Sequence, residues 1–174
     1  MSIATRWGTS EAERALPYPC DGFVTRVDAA CWRGVTVHAD ATTVFRWLCQ
    51  LRVAPYSYDW IDNPGRQSPR TLTPGLERLE IGQRVMRIFE LVAFESDRHL
   101  TLRTHRFAPG VWPAVAVSYL VRPVGPRETR LLAKLALEER PSRLARLARD
   151  LLSWGDLVMM RKQLLTLKSL AEGG

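Results

Sequence analysis

The chain has 174 residues, of which 46% are hydrophobic and 25% are charged. This size and composition fit one folded domain with a substantial core. It contains no run of 18 or more apolar residues, and Met1 to Ser10 lack the basic region and apolar stretch of a secretory signal. We therefore expect a cytoplasmic protein with no membrane span.

The formal net charge of +7 raises the question of a nucleic-acid partner. Arginine supplies nearly all of this charge and is scattered along the chain. The densest group has helical spacing and consists of Arg140, Arg143, Arg146 and Arg149. We favour a solvated helix face over a phosphate-binding surface, because charged side chains mostly lie outside. We expect no nucleic-acid partner.

Metal ligands and cofactor motifs are not indicated. Cys20, Cys31 and Cys49 include no C-x-x-C pair, so free thiols are expected rather than a disulfide framework or a zinc site. His99 and His105 share a strand face but are six residues apart, which is about 20 Å at the rise of a strand. They therefore cannot bind one metal ion together. No phosphate-binding loop, dinucleotide fingerprint or G-x-S-x-G turn is present. We predict no metal and no cofactor.

The first 31 residues are predicted to form an arm that packs on the body of the protein. Ser10 to Glu13 fits a capping box before a short helix, and Pro17 and Pro19 then force an extended path. Residues 32–174 are predicted to form the single domain.

This domain begins with a strand followed by an amphipathic helix. Trp32 to His38 alternates as a half-buried strand should. Asp40 is a credible N-cap for a helix that extends to Leu51, with one apolar stripe facing the core. From Arg52 to Gly82, proline and glycine interrupt any regular element while aromatic residues are frequent, a composition typical of a functional loop.

Four strand-like runs follow this loop. From Gln83 to Glu95 apolar residues occur at both odd and even positions, which predicts one strand covered on both faces. From His99 to Arg106 apolar and polar residues alternate, which predicts the next strand. The inward positions of the last two strands are predicted to be Val115, Val117, Tyr119 and Val121, and then Leu131, Ala133, Leu135 and Leu137.

Ser142 to Ala171 closes the chain as one long helical stretch with a broad apolar face. A straight helix of this length would measure about 45 Å, so we expect a bend or break at Gly155. The order of elements predicts an α+β fold in which a curved antiparallel sheet wraps around the long C-terminal helix. Such elements cannot pack flush along their whole length, so an apolar cavity is expected between them.

Four segments resemble the SRPBCC superfamily, the START-like or helix-grip proteins that include polyketide cyclases and lipid-transfer proteins. They are Val35-Thr36-Val37-His38-Ala39 with the helix after it, Gly82 before the Val85 to Phe94 run, Leu120-Val121-Arg122-Pro123 with Thr129-Arg130-Leu131, and Leu164 to Glu172. The resemblance covers about residues 32 to 172. It implies the helix-grip fold and a deep cavity for apolar or amphipathic small molecules, but no particular chemistry.

The ligand-binding residues predicted on this basis form a wall and a mouth. The wall comprises Val115, Val117, Tyr119, Leu131, Leu135, Trp154 and Val158. The mouth comprises Tyr56, Tyr58, Trp60 and Arg66, and Glu90 interrupts an apolar strand beside them. Each polar choice has an alternative: Glu90 can be an outward, solvated glutamate, and Tyr56 and Trp60 can be core residues.

Three functions remain open. We favour a carrier of a hydrophobic or amphipathic small molecule. The alternative is a cyclase- or hydratase-like enzyme, in which Glu90 or Asp59 acts as acid or base and Arg66 or Arg106 steadies an enolate. A protein-interaction module using Arg143, Arg146 and Arg149 is the third, and a homodimer is left open.

Overall fold

The computed structural model describes residues 3–59, 65, 67–86, 88–105, 114–138 and 143–173. Within these ranges it does not describe the side chains of Asp28 and of residues 143–152.

In the part of the chain that the structure describes, a seven-stranded sheet forms the body of the protein. Its strands are β1 (Arg6–Trp7), β2 (Val27–Val37), β3 (Arg84–Val85), β4 (Phe89–Glu95), β5 (His99–Thr104), β6 (Val115–Gly125) and β7 (Glu128–Glu138). Their order across the sheet is β1-β2-β7-β6-β5-β4-β3. Neighbouring strands are antiparallel except for the short parallel pair of β1 and β2.

Among the residues described, three α-helices accompany the sheet: α1 (Glu11–Arg14), α2 (Ala41–Cys49) and α3 (Arg143–Glu172). Two 3-10 segments, Pro19–Phe23 and Gln50–Arg52, lie in the connections. The predicted caps are confirmed. Ser10 and Glu13 form the capping box of α1, and the Asp40 carboxylate accepts a hydrogen bond of 2.8 Å from the Thr43 amide at the start of α2.

The main core lies between the inner face of the sheet, α2 and the C-terminal half of α3. Alternate residues of the strands point inward, as the pleat requires. The inner face contributes Val37, Leu102, Val117, Tyr119 and Leu131, and the helices contribute Val44, Leu48, Leu164 and Leu167. This arrangement is the predicted α+β architecture, a curved sheet held against a long C-terminal helix.

A second, smaller core covers the outer face of the sheet. Tyr18, Cys20 and Val24 of the N-terminal segment pack on outward side chains of the central strands, namely Ala116, Leu120, Leu132 and Ala136. The Cys20 amide donates a hydrogen bond of 2.8 Å to the Ser118 hydroxyl of β6. Both faces of the central strands are therefore buried.

Three sequence-based expectations about elements were wrong. Gln83–Glu95 is not one strand, because the backbone at Met86 has φ of 47° and turns the chain into a β3–β4 hairpin. The strand predicted from Trp32 begins at Val27, so residues 27–31 of the expected arm belong to the sheet. α3 runs through Gly155 without a break.

Candidate functional site

A cavity of about 530 Å³ lies between the inner face of the sheet and α3. Its volume falls in the range of about 300–1,000 Å³ that is usual for small-molecule sites. The residues around it come from the segment after α2, the β3–β4 hairpin, two central strands and the final helix. They are Arg52, Val53, Ala54, Pro55, Ser57, Met86, Ile88, Phe89, Val117, Tyr119, Leu135, Asp156, Met159, Met160 and Gln163.

The cavity opens to solvent beside the β3–β4 hairpin. Val53 and Ile88 belong to its lining, yet their exposed fractions are 46% and 47%. Arg52 lies next to Val53, and its Nη1 donates hydrogen bonds of 3.1 Å to the carbonyl oxygens of Leu76 and Arg78. These bonds tie one side of the opening to the loop before β3.

Most of the cavity wall is apolar. Val117 and Leu135 lie side by side in β6 and β7, Phe89 extends the wall into β4, and Met160 closes it from α3. Branched and aromatic side chains from the strands give a shaped surface, and the flexible thioether adapts to what remains. Such a wall favours an apolar molecule over water.

Tyr119 and Gln163 form the first buried polar contact of the cavity. The Tyr119 hydroxyl donates a hydrogen bond of 2.7 Å to Gln163 Oε1. Gln163 Nε2 donates to the Pro55 carbonyl oxygen at 2.6 Å and lies 3.4 Å from Met86 Sδ. The amide therefore joins α3 to β6, to the segment after α2 and to the β3–β4 hairpin.

Arg33 and Asp156 form the second contact, a buried ion pair between β2 and α3. Arg33 Nη2 lies 2.7 Å from Asp156 Oδ2, and the arginine side chain is 1% exposed. The same guanidinium donates to the carbonyl oxygens of Trp32, Ala4 and Ser153. Arg33 is thus held behind the cavity wall, while Asp156 belongs to the wall itself.

Burial shifts the titration of both acidic groups in the wall. Removal from water raises the pKa of Asp156 to about 6, although the charge of Arg33 and its hydrogen bond act in the opposite direction. Burial also raises the pKa of Tyr119, and the nearby Asp156 charge adds to that rise. Tyr119 is therefore a neutral phenol, whereas Asp156 changes its charge in the mildly acidic range.

The structure brings only some of the predicted wall residues together. Val117, Tyr119 and Leu135 line the cavity. Val115 and Leu131 point to the inner face but are not among its lining residues. Trp154 and Val158 are 51% and 49% exposed, because they lie on the solvent side of α3.

None of the predicted mouth residues that the structure describes lines the cavity. Tyr56 is buried in the main core, where its ring meets the ring of Trp47 edge to face with centroids 6.1 Å apart. Tyr58 is half-buried, and neither tyrosine lines the cavity. Trp60 and Arg66 lie outside the described residues.

Glu90 does not point among the apolar side chains of the cavity. It lies on the outer face of β4 and accepts hydrogen bonds from Arg103 at 3.0 Å and His105 at 3.2 Å. The bond with His105 and the Arg103 charge lower the pKa of Glu90 despite partial desolvation. A register shift between Leu91 and Ala93 reverses the parity within the strand, so alternation counted from Val92 and Phe94 gives the wrong face.

The other catalytic candidates are also away from the cavity wall. The Asp59 carboxylate accepts hydrogen bonds from the Ser68 amide at 2.8 Å and hydroxyl at 2.5 Å, and Asp59 is not a lining residue. This pairing closes the loop after Tyr56. Arg106 lies outside the described residues, as does Arg140 of the basic helix face.

Sequence reasoning missed three polar residues of the site. Arg33 interrupts the inward parity of β2 between Cys31 and Val35, and Asp156 and Gln163 lie seven residues apart on the core side of α3. A search for polar residues at positions that periodicity assigns to the core would have found them.

The part of the chain that the structure describes contains neither a metal-binding cluster nor a membrane-spanning helix. Among the residues described, no three His, Cys, Asp or Glu side chains are close enough to hold a metal ion. Within the same part of the chain, no helix is long and apolar enough to cross a membrane.

Comparison with solved structures places this architecture among known folds. A protein from Arthrobacter aurescens matches with a TM-score of 0.52 and 12% identity over 87% of this chain and 93% of its own. A norcoclaurine synthase point mutant from Thalictrum flavum, solved with a transition-state analogue, matches with a TM-score of 0.50 and 11% identity. This match covers 82% of the present chain and 92% of the synthase. The di-domain ARO/CYC protein BexL of the BE-7585A biosynthetic pathway matches with a TM-score of 0.50 and 16% identity. This match covers 83% of the present chain and 46% of BexL.

These matches define the fold of the chain. It is the helix-grip fold, which the sequence resemblance implied. No protein-family model and no curated protein sequence matches the chain. At these identities the structural matches establish the fold and leave the chemistry to the residues of the site.

Proposed function

We propose that this protein binds a hydrophobic or amphipathic small molecule in the cavity between the sheet and α3. The observation that carries this proposal is the cavity itself, with its apolar wall and few polar groups. The norcoclaurine synthase with a bound transition-state analogue supports the proposal, because its fold also accommodates a small molecule.

The cyclase- or hydratase-like alternative loses the two acidic residues on which the sequence-based hypothesis rested, and Asp156 is the acidic residue that belongs to the cavity wall instead. Glu90 and Asp59, the candidate acids of a cyclase- or hydratase-like enzyme, are both engaged with protein groups outside the cavity lining. An acid or base must reach the substrate directly or through one water molecule. The cytoplasmic location, the lack of a nucleic-acid partner, the interaction module and the homodimer remain predictions from the sequence.

Filling the cavity tests this proposal. N-phenyl-1-naphthylamine, a neutral apolar dye, should bind the wild-type protein with a rise in fluorescence. Leu135→Trp places extra atoms inside the wall, so we expect at least a tenfold weaker dissociation constant for the dye. Val124→Trp is the matched control, because Val124 lies in β6 with an exposed fraction of 61%. The control should bind the dye as the wild type does.

Urea unfolding of each variant separates a filled cavity from a damaged fold. Equal dye affinity in folded Leu135→Trp and in Val124→Trp would refute binding in this cavity. A wild-type protein that does not bind the dye would count against the proposal directly.

A further inference from the structure

The buried polar side chains of the cavity present hydrogen-bond acceptors. The hydrogen of the Tyr119 hydroxyl is directed to Gln163 Oε1, so the phenol oxygen has only lone pairs left. The Gln163 amide hydrogens are directed to the Pro55 carbonyl oxygen and to Met86 Sδ. Neither side chain therefore has a donor for a ligand.

Asp156 is the charged acceptor of this inner wall. Arg33 bonds to its Oδ2 atom, and none of the residues described donates a hydrogen bond to Oδ1. The side chain of Asp156 keeps 13% of its surface exposed, and it belongs to the cavity lining. A carboxylate oxygen in an apolar wall binds a hydrogen-bond donor strongly, because water competes less there.

Arg33 fixes the position of this carboxylate. Its guanidinium contacts three carbonyl oxygens besides Asp156, from β2, from Ala4 and from α3. With a side chain 1% exposed, it is not among the residues that line the cavity. It is therefore a positioning residue, which aims Asp156 without contacting a ligand.

We propose that the cavity selects neutral apolar molecules carrying a hydroxyl group, such as a phenol, which donates a hydrogen bond to Asp156. This inference rests on the proposed small-molecule binding and specifies its ligand class. Two other ligand classes fit less well. At the inner wall a carboxylate would meet the acceptors Asp156 and Tyr119, because the cationic Arg52 of the lining lies at the opening and its Nη1 is bonded to two carbonyl oxygens there. A buried ammonium would incur a desolvation cost where Arg33 already balances the charge of Asp156.

A pair of probes of nearly equal shape tests this selection. 2-Naphthol and 2-methylnaphthalene differ by a hydroxyl in place of a methyl group. Near neutral pH, isothermal titration calorimetry should give about tenfold tighter binding of 2-naphthol, the size of effect expected for one hydrogen bond to a charged group.

Variants assign the preference to Asp156. The double substitution Arg33→Met and Asp156→Leu replaces the ion pair with apolar side chains, a change that buried pairs often tolerate. It should remove the tenfold preference, because leucine at position 156 accepts no hydrogen bond from the 2-naphthol hydroxyl. Val158→Leu, on the exposed side of the same helix, is the matched control and should keep the preference.

Asp156→Asn provides a second test that preserves the shape of the side chain. Arg33 can only donate, so the amide oxygen would keep the bond to Arg33 and the amide NH2 group would replace Oδ1 at the cavity surface. The acceptor for the 2-naphthol hydroxyl is then lost, and the preference should fall to about threefold or less. This variant decides the question if the double substitution does not fold.

The outcomes separate the two proposals. Equal binding of both probes by the wild type, or an unchanged preference in folded variants at position 156, would overturn selection by Asp156 while small-molecule binding stands. Failure of the wild type to bind either probe would count against the proposed function as well.

Discussion

Asp156 is held at a cost to the fold. A buried ion pair gives less stability than apolar packing of the same volume, because both charges must leave water. Here the carboxylate pairs with Arg33 at 2.7 Å, yet burial still raises its pKa to about 6. The net effect of the folded environment is thus to disfavour the charged form of Asp156.

The pH dependence of stability should show this cost. The folded-state pKa of about 6 lies above the ordinary value of 3.8, so the folded protein binds the proton more tightly than the unfolded chain does. The contribution of Asp156 is fully present below pH 3.8 and is lost as pH rises to about 6. The loss is on the order of 3 kcal/mol.

Urea unfolding of the wild type and Asp156→Asn between these pH values measures this contribution. The unfolding free energy of the wild type, less that of the variant, should fall as pH rises. Carbon-13 NMR of the carboxyl groups gives a direct check, with Asp40 as control because hydrogen bonds from Thr43 lower its pKa. A titration midpoint for Asp156 at or below its ordinary value would contradict the prediction.

At the level of single residues, sequence reasoning was better for apolar than for polar positions. Alternation in β6 and β7 located Val117 and Leu135, which line the cavity. The face of β4 to which Glu90 points could not be derived from the sequence. The strand contains a register shift, and a run with apolar residues at both odd and even positions does not reveal where such a shift lies. Asp156 acquires its role from Arg33, 123 residues away in sequence, and local pattern carries no information about that pairing.

Among the elements, β2 depends on a glycine at its closest contact with the N-terminal segment. A Cβ atom added at Gly34 would lie 2.8 Å from the Gly8 carbonyl oxygen and 2.9 Å from Leu132 Cδ2 and Thr9 Cγ2. The backbone oxygen cannot move without disturbing the chain just after β1. Close approach explains the small residue at this position.

We therefore expect Gly34→Ala to lower the unfolding free energy by about 1–3 kcal/mol, the usual cost of overpacking. Gly155→Ala is the matched control, because its added Cβ would meet no atom within 4 Å and the residue lies inside α3. It should raise stability by up to about 1 kcal/mol through helix propensity. Urea unfolding of both variants checks the pair, and equal stabilities would contradict the assigned contact.

The elements predicted correctly are those with a clear period or a cap. α1 and α2 begin at the predicted capping residues, and β5, β6 and β7 follow alternating patterns. β1 has only two residues, too few for any period to appear. The β3–β4 hairpin escaped prediction because its turn depends on a positive φ at Met86, a conformation that methionine rarely adopts.

For the molecule as a whole, the sheet separates two cores with different roles. The inner core borders the cavity, while the outer core holds the N-terminal segment. The order of elements was enough to predict the fold, because few arrangements bury one long amphipathic helix against an antiparallel sheet. The volume and polarity of the cavity were not predictable, since they depend on side chains from distant segments.

This separation predicts that stability and ligand binding can be changed independently. Tyr18 is 3% exposed in the outer core, so Tyr18→Ala should lower the unfolding free energy by about 3 kcal/mol. The affinity for N-phenyl-1-naphthylamine should stay within about twofold, because the sheet lies between this site and the cavity. Leu135→Trp should show the opposite pattern. A parallel loss of dye affinity in folded Tyr18→Ala would show that the two cores are coupled.

The guanidinium of Arg33 joins the start of the chain to the interior, because one nitrogen atom contacts both the Ala4 carbonyl oxygen and the Asp156 carboxylate at 2.7 Å. Any change in the charge of that carboxylate alters the hydrogen bond at Ala4. Isotopic labelling of this single carbonyl carbon would therefore make the amino-terminal segment a spectroscopic sensor of the cavity, readable without attaching a dye.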